Sequence, residues 1–327
     1  MGKLPSDAKR ETLVRAQDTT DPTHGCEPSD RPILQHIKFG VINLDKPKGP
    51  TSHEVAAWVK RILALGRVGH GGTLDPAVSG VLAVALDDAT KVIQTMLLAG
   101  KEYICVMHLH GDVQQHQLER VLKEFTGEIF QRPPLRAAVK RQLRKRNIYY
   151  IEFIEREGRD VLMRVGCEAG TYIRKLCFDV GSALGCGAHM GELRRTRTGP
   201  FRDENSARLH DLADAWAFWK EDGNEEPLRK VILPVEAAVA HIPKLTVRDG
   251  AVDALCHGAS LAAPGVLSVD TGISPKDLVA LFTLKGELVS LAWAEMNSKQ
   301  INEAEHGIVA KPERVVMTPG TYPRKWK

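Results

Sequence analysis

Apolar and polar residues alternate along this chain with two periods, and the periods divide it into elements. Between residues 101 and 110, Tyr103, Cys105, Met107 and Leu109 take every second position, which predicts a strand with one buried face. Over 171–184 the apolar residues are Ile173, Leu176, Cys177, Val180 and Leu184, the period of an amphipathic helix. The same period gathers Val55, Val59, Ile62 and Leu63 on one stripe. It predicts a helix from Thr51 or Ser52 to about Leu65, with Glu54 completing a capping box on Thr51. Further helices are predicted over 88–98, 118–125 and 206–220. A short strand over 40–45 ends in the turn Lys46-Pro47-Lys48-Gly49-Pro50, and the continuous apolar run 81–86 reads as a buried strand. Residues 149–156 and 160–167 form a predicted hairpin around Gly158.

Outside this region the pattern changes. Residues 1–38 are polar and proline-punctuated, without clean periodicity. They are expected to be an N-terminal extension that orders, if at all, against another part of the molecule, the C-terminal domain being the candidate. The prolines at 234 and 243 mark a boundary, and strand patterns at 265–269, 278–284 and 288–294 dominate beyond it. Strands and helices mixed without a regular βαβ period predict an α+β domain over 39–240 and a smaller, mostly β domain over 241–327.

Composition changes this picture little. The 45 Lys and Arg nearly balance 41 Asp and Glu, so global charge does not select a polyanion partner. Local charge does more. Arg136, Lys140, Arg141, Arg144, Lys145 and Arg146 form a strip without an acid, Arg194, Arg195, Arg197 and Arg202 form a second cluster, and the chain ends Arg324-Lys325-Trp326-Lys327. One such run is ordinarily a solvated face; three together favour phosphate. The six cysteines show no CxxC pair and no zinc spacing, as for free thiols in a reducing compartment. With no signal peptide and no apolar run of ~18 residues, the expected location is cytoplasmic, off the membrane.

The segment Gly69-His70-Gly71-Gly72-Thr73-Leu74-Asp75-Pro76 carries the candidate chemistry. Proline holds the preceding residue in extended geometry, so Asp75 is fixed for presentation to a ligand. Spacing alone also allows a plainer reading, in which Asp75 caps a helix that starts at Pro76.

Resemblance separates the two. Asn43-Leu44-Asp45-Lys46-Pro47-Lys48-Gly49-Pro50-Thr51-Ser52-His53, then Gly69 to Pro76, then Gly170-Thr171-Tyr172-Ile173-Arg174 resemble successive motifs of the TruB-type RNA pseudouridine synthases. The block Ala188 to Phe201 resembles the dyskerin-like branch of that family, in its archaeal form. The resemblance implies a pseudouridine synthase catalytic domain followed by a PUA domain, a small RNA-binding module. It implies isomerisation of uridine with no cofactor and no metal, Asp75 being the essential carboxylate as nucleophile or proton acceptor at the sugar. Arg174 is implied to pair with Asp75, opposing the desolvation that a closed site imposes. Tyr103 is implied to pack on the target base. Flipping that base out of its stack costs a few kcal/mol, and an aromatic face returns roughly 1–3 kcal/mol.

His70, Tyr172, Leu193 and Lys46 complete the implied substrate site, Lys46 with Pro47 shaping the turn beside the cleft. Lys140, Arg141, Arg144 and Lys145 are the candidate contacts to RNA backbone. The expected substrates are the TΨC-arm uridine of tRNA, uridines of ribosomal RNA, or both. The expected partners are an H/ACA guide RNA and three small proteins: a kink-turn binder, a zinc-bearing scaffold and a factor aiding turnover. Two alternatives stand beside the guided enzyme: a stand-alone tRNA enzyme, and a non-catalytic RNA-binding scaffold with a vestigial loop. A metal hydrolase built on His70 lacks the ligand spacing it needs.

Overall fold

A computed structural model describes residues 2–132 and 142–324. In chain order the first strands are β1 (Thr12–Val14), β2 (Gly40–Lys46), β3 (Val68–His70), β4 (Ser79–Leu86) and β5 (Lys101–Leu109). There follow β6 (Gly127–Gln131), β7 (Arg144–Glu157), β8 (Asp160–Cys167), β9 (Ala188–Thr198), β10 (Phe201–Arg202) and β11 (Leu233–Pro234). The C-terminal strands are β12 (Lys244–Val247), β13 (Leu261–Ala262), β14 (Val266–Asp270), β15 (Leu278–Phe282), β16 (Leu288–Ala294) and β17 (Ile308–Val315). The helices used below are α1 (Ile33–Lys38), α2 (Ser52–Ile62), α3 (Ile93–Leu98), α4 (Gln115–Glu124) and α5 (Ile173–Ala183).

The larger sheet has the order β11-β2-β4-β9-β5-β8-β7-β6, with β3 on β4 and β10 on β9. Neighbours along it run antiparallel except at β4 and β9, which meet in parallel where Ser79 faces Arg194 and Gly80 faces Arg195. That parallel seam joins the two halves of the sheet. A Cβ at Gly80 would collide with the Arg195 carbonyl, so the close approach requires glycine there (φ +106°). The smaller sheet, β1-β14-β12-β15-β16-β17-β13, is built from the C-terminal strands and from β1.

The predicted periods are visible in the packing. Tyr103, Cys105, Met107 and Leu109 bury one face of β5 against Ile173, Leu176, Cys177 and Val180 of α5. At the head of α2, Thr51 Oγ1 accepts from the Glu54 amide (3.1 Å) and Glu54 Oε2 accepts from the Thr51 amide (2.7 Å). The predicted helix at 88–98 is instead a 3₁₀ stretch, Asp87–Val92, leading into α3. Its first turn is tightened by Thr90 Oγ1 donating to the Asp87 carbonyl (2.6 Å).

Strand β9 is absent from the sequence reading, and it corrects that reading of the second basic cluster. Arg195 and Arg197 are buried, not presented to phosphate. Arg197 and Arg202 share Asp7, and Arg194 pairs with Asp45 (2.9 Å) and Asp203 (3.4 Å). The Arg197 guanidinium enters the sheet interior paired through both Nη atoms with the Asp7 carboxylate, its Nε remaining without a hydrogen-bond partner.

Residues 2–38 cross both sheets. Leu4 is buried, Asp7 reaches Arg197, β1 pairs with β14, and Thr20 and Asp21 donate to buried Asp249. Near the end of the stretch, Arg31 makes a two-bond fork with Glu236 (2.7 and 2.9 Å).

Candidate active site

Asp75 sits on a turn between β3 and β4 that is pinned from below. The Gly71 amide donates to the Ala83 carbonyl (2.8 Å), and the Leu74 amide donates to Ser52 Oγ (2.8 Å). Val78 N–H closes the turn onto the Asp75 carbonyl (2.9 Å), and Gly49 N–H holds the Pro76 carbonyl (2.8 Å). Leu74 and Val78 are buried on either side, so the Asp75 side chain is pushed outward and is 55% exposed. No helix follows Pro76; the chain turns directly into β4, which removes the helix-cap reading of Asp75.

Arg174 comes from the first turn of α5 and donates through Nη2 to Asp75 Oδ2. Ile173 beside it is buried in the core, which turns Arg174 toward the cleft. Tyr172, the residue before the helix, is clamped at both backbone groups by Gln131: its N–H donates to Oε1 (2.9 Å) and its carbonyl accepts from Nε2 (3.2 Å). Gln131 is itself buried. It orients the start of α5, and nothing in the sequence marks it. Asp75 and Arg174 are both more than half exposed, so the pair adds at most about 1 kcal/mol to stability in water. Its larger effect comes when a bound ligand excludes water from it.

Beneath the pair lie Tyr103 and Leu193, 8% and 9% exposed, on adjacent strands β5 and β9. Burial raises the Tyr103 hydroxyl above its ordinary pKa, partly opposed by Arg195 alongside. His70 stands edge-on to His53, with ring centres 4.8 Å apart. Burial, with the charges of His53 and Arg195, pushes the His70 imidazole below its ordinary value and favours its neutral form.

Lys46 requires a correction as a substrate-binding residue. It is fully buried, and its ammonium donates to the Pro47 (2.7 Å) and Pro50 (2.8 Å) carbonyls. Its ammonium is taken up in shaping the turn, and its burial leaves no surface to offer a substrate. Of the candidate backbone-binding residues, Lys140 and Arg141 lie outside the described residues. Arg144 and Lys145 open β7, and Lys145 faces solvent beside Glu128 (2.8 Å). Their neighbour Arg146 lies against Gly170, at the head of the Arg174 motif. Among the described residues, no three His, Cys, Asp or Glu side chains converge as metal ligands would.

The arrangement presents a water-accessible carboxylate and its arginine partner above a core cluster in which Tyr103 and Leu193 pack with Leu74 and Val78. Such a set can act on a planar base and its sugar.

Family models match most of the chain. The model described as "TruB family pseudouridylate synthase (N terminal domain)" matches residues 60–173, and "tRNA pseudouridylate synthase B C-terminal domain" matches 174–240. A PUA domain matches 243–316 and a DKCLD domain matches 2–56. The chain is 62% identical over 324 residues to a probable tRNA pseudouridine synthase B of Methanopyrus kandleri, covering 99% of this chain and 96% of the relative. It is 59% identical to that of Pyrococcus furiosus over 326 residues, with coverage of 99% and 96%. Among solved structures, a Cbf5–Nop10–Gar1 complex contains a chain that superposes with a TM-score of 0.94 at 59% identity, covering 98% of each chain. An H/ACA ribonucleoprotein bound to a substrate RNA containing 2′-deoxyuridine gives 0.93 at 56%, covering 99% of this chain and all of the other.

Proposed function

The chain belongs to the TruB family of pseudouridylate synthases, in the archaeal dyskerin-like branch, and we propose that it isomerises uridine to pseudouridine in tRNA, ribosomal RNA or both. The observation that carries this reading is the Asp75 carboxylate, exposed over Tyr103 and Leu193 and held by Arg174. In the reaction the bond from ribose C1′ to N1 of uracil breaks, the base turns over, and C1′ joins C5. The proton leaves C5 and N1 gains one, so atoms and electrons balance without a cofactor. Asp75 serves at the sugar as nucleophile or as proton acceptor, and either role needs it ionised. Arg174 supplies the opposite charge beside it when RNA covers the pair and excludes water. Tyr103 and Leu193 receive the flipped base, with His70 and Tyr172 at the rim.

Residues 39–240 form the catalytic domain in this reading, and 241–327 the PUA domain that grips the ACA end of a guide. The solved relatives include Nop10, Gar1 and substrate RNA in their complexes. By the same assembly this chain works with a guide RNA and three small proteins. Arg144 and Lys145 contact RNA backbone beside the cleft. No described helix is long and apolar enough to cross a membrane. We place the protein in the cytoplasm.

The test is carbodiimide primer-extension mapping of pseudouridine on tRNA transcript and on guided ribosomal RNA. Product on tRNA with the protein alone identifies a stand-alone activity, and product only with guide and small proteins identifies a guided one. Absence of product in both overturns the enzyme reading in favour of a scaffold.

A further inference from the structure

Arg195 heads the fully buried side chains by size, and no carboxylate among the described residues pairs with it. Burying a cation without a counter-ion costs several kcal/mol, and an apolar side chain of similar volume fills such a site at lower cost. Packing is therefore a poor reason for an arginine here. Its donors point instead to three separate pieces of the site. Nε donates to the Val81 carbonyl of β4 (2.7 Å), Nη2 donates to the Gly72 carbonyl (3.1 Å), and the guanidinium interacts electrostatically with the hydroxyl of Tyr103, its cross-strand neighbour on β5. Its backbone lies at the seam of the sheet, opposite Gly80 of β4 on one side and Tyr103 of β5 on the other. Gly72 is three residues before Asp75 and has φ +126°; a Cβ there would come within 3.6 Å of Arg195 Nη1 and 3.3 Å of Lys101 Cε. The loop that carries the carboxylate thus rests directly on this guanidinium.

We propose that Arg195 is a positioning residue for the isomerisation, setting the Asp75 loop, through the Gly72 carbonyl, against the hydroxyl end of Tyr103. The inference rests on the reading above, in which Asp75 and Tyr103 face the target nucleotide. It demands arginine, because a planar fork reaches several acceptors in fixed directions while an ammonium is a compact charge on a flexible stem. Arg195→Lys keeps the charge and loses that geometry. A displacement of the loop by about 1 Å is enough to cost on the order of 100-fold in rate.

The experiment uses the full chain in excess over a tRNA transcript or guided substrate on which the wild type makes pseudouridine, and reads single-turnover rate and RNA affinity separately. Arg195→Lys is expected to lose about 100-fold in rate with affinity within about threefold. Tyr103→Phe keeps the ring and removes the hydroxyl; in that background the lysine change is expected to cost markedly less, because the two groups act together. Wild-type rate in Arg195→Lys, a loss confined to affinity, or losses that simply multiply in the double variant would each overturn the inference while the enzyme reading stood. Should the lysine variant fail to fold by circular dichroism, Tyr103→Phe decides: a loss of about tenfold or more at unchanged affinity supports the inference, and wild-type rate overturns it. A wild type inactive on every substrate overturns both readings.

Discussion

Three basic side chains are buried around the Asp75 loop, in a sheet that also buries Glu102 on β5. Lys46, Lys101 and Arg195 are each 5% exposed or less, and they donate to backbone carbonyls. In the C-terminal sheet the buried ions are acids: Asp249, Asp253 and Glu287. Asp249 accepts from Thr20 Oγ1 (3.0 Å) and the Asp21 amide (2.8 Å). Glu287 accepts from the Cys26 amide (3.2 Å) and the Tyr322 hydroxyl (2.7 Å), and Asp253 from the Gly320 amide (3.2 Å). Both sets meet the rule that buried polar groups are bonded, but with different results. The acids tie the N-terminal arm and the C-terminal end onto one domain. The carbonyls around Lys46 and Arg195 satisfy hydrogen bonds without cancelling charge, while burial and the neighbouring Arg195 push Lys101 down to about 7, so that near neutral pH it keeps its proton only in part. Buried charge anchors the N-terminal arm on both sheets, through Arg197 and Asp7 on the larger and through Asp249 on the smaller, and in the larger sheet it also lies under the Asp75 loop.

Among changes that leave Asp75 in place, the largest effect should come from Arg174→Ala. Single-turnover rate should fall on the order of 100-fold or more, with melting temperature nearly unchanged because the pair is exposed. An unaltered rate would break the pairing.

Next in size is an acid sensitivity on the cationic side. Burial, reinforced by Arg10 and Lys101, pushes His241 down to about 4, against an ordinary 6.5. The folded protein therefore resists a proton that the unfolded chain accepts. Stability should be complete above pH 6.5 and decline as pH falls toward 4, by at most about 3 kcal/mol. Chemical denaturation of wild type and His241→Gln across that range should show a flatter profile for the variant; parallel profiles would contradict the assignment.

On the acidic side, Asp249→Ala removes the acceptor for Thr20 and Asp21. It should cost about 2 kcal/mol and speed amide exchange in residues 12–24, with the isomerisation rate unchanged. Exchange at the wild-type rate would show that the arm is held elsewhere. The smallest effect belongs to Lys145→Ala, which should lower the slope of log affinity against log salt by about 1 if the side chain meets phosphate. An unchanged slope would place it away from RNA.

Much of this was legible in the chain because it is local. The Thr51–Glu54 box, the alternation from Tyr103 to Leu109 and the stripe on α5 depend on neighbours within a few residues. The cleft was legible only through the three resembling motifs, since Asp75 and Arg174 are 99 positions apart. Strand β9 was not legible. Its arginines read as surface because their partners, Asp7, Asp45 and the carbonyls of Gly72 and Val81, come from distant segments. The turn-shaping role of Lys46 was legible beside Pro47, whereas its complete burial, which argues against substrate binding, depends on surroundings that no pattern reports. The arm over 2–38 has no long period because its anchors are short and scattered, a three-residue strand on β14, the six-residue helix α1, and side chains such as Asp7 and Arg31 that reach distant segments.

The most direct test of the account is Asp75→Asn, a neutral replacement of nearly the same shape, assayed with enzyme in excess on an RNA that the wild type modifies. The account predicts an intact fold, RNA binding close to wild type and no detectable pseudouridine. Appreciable conversion by that variant would contradict it.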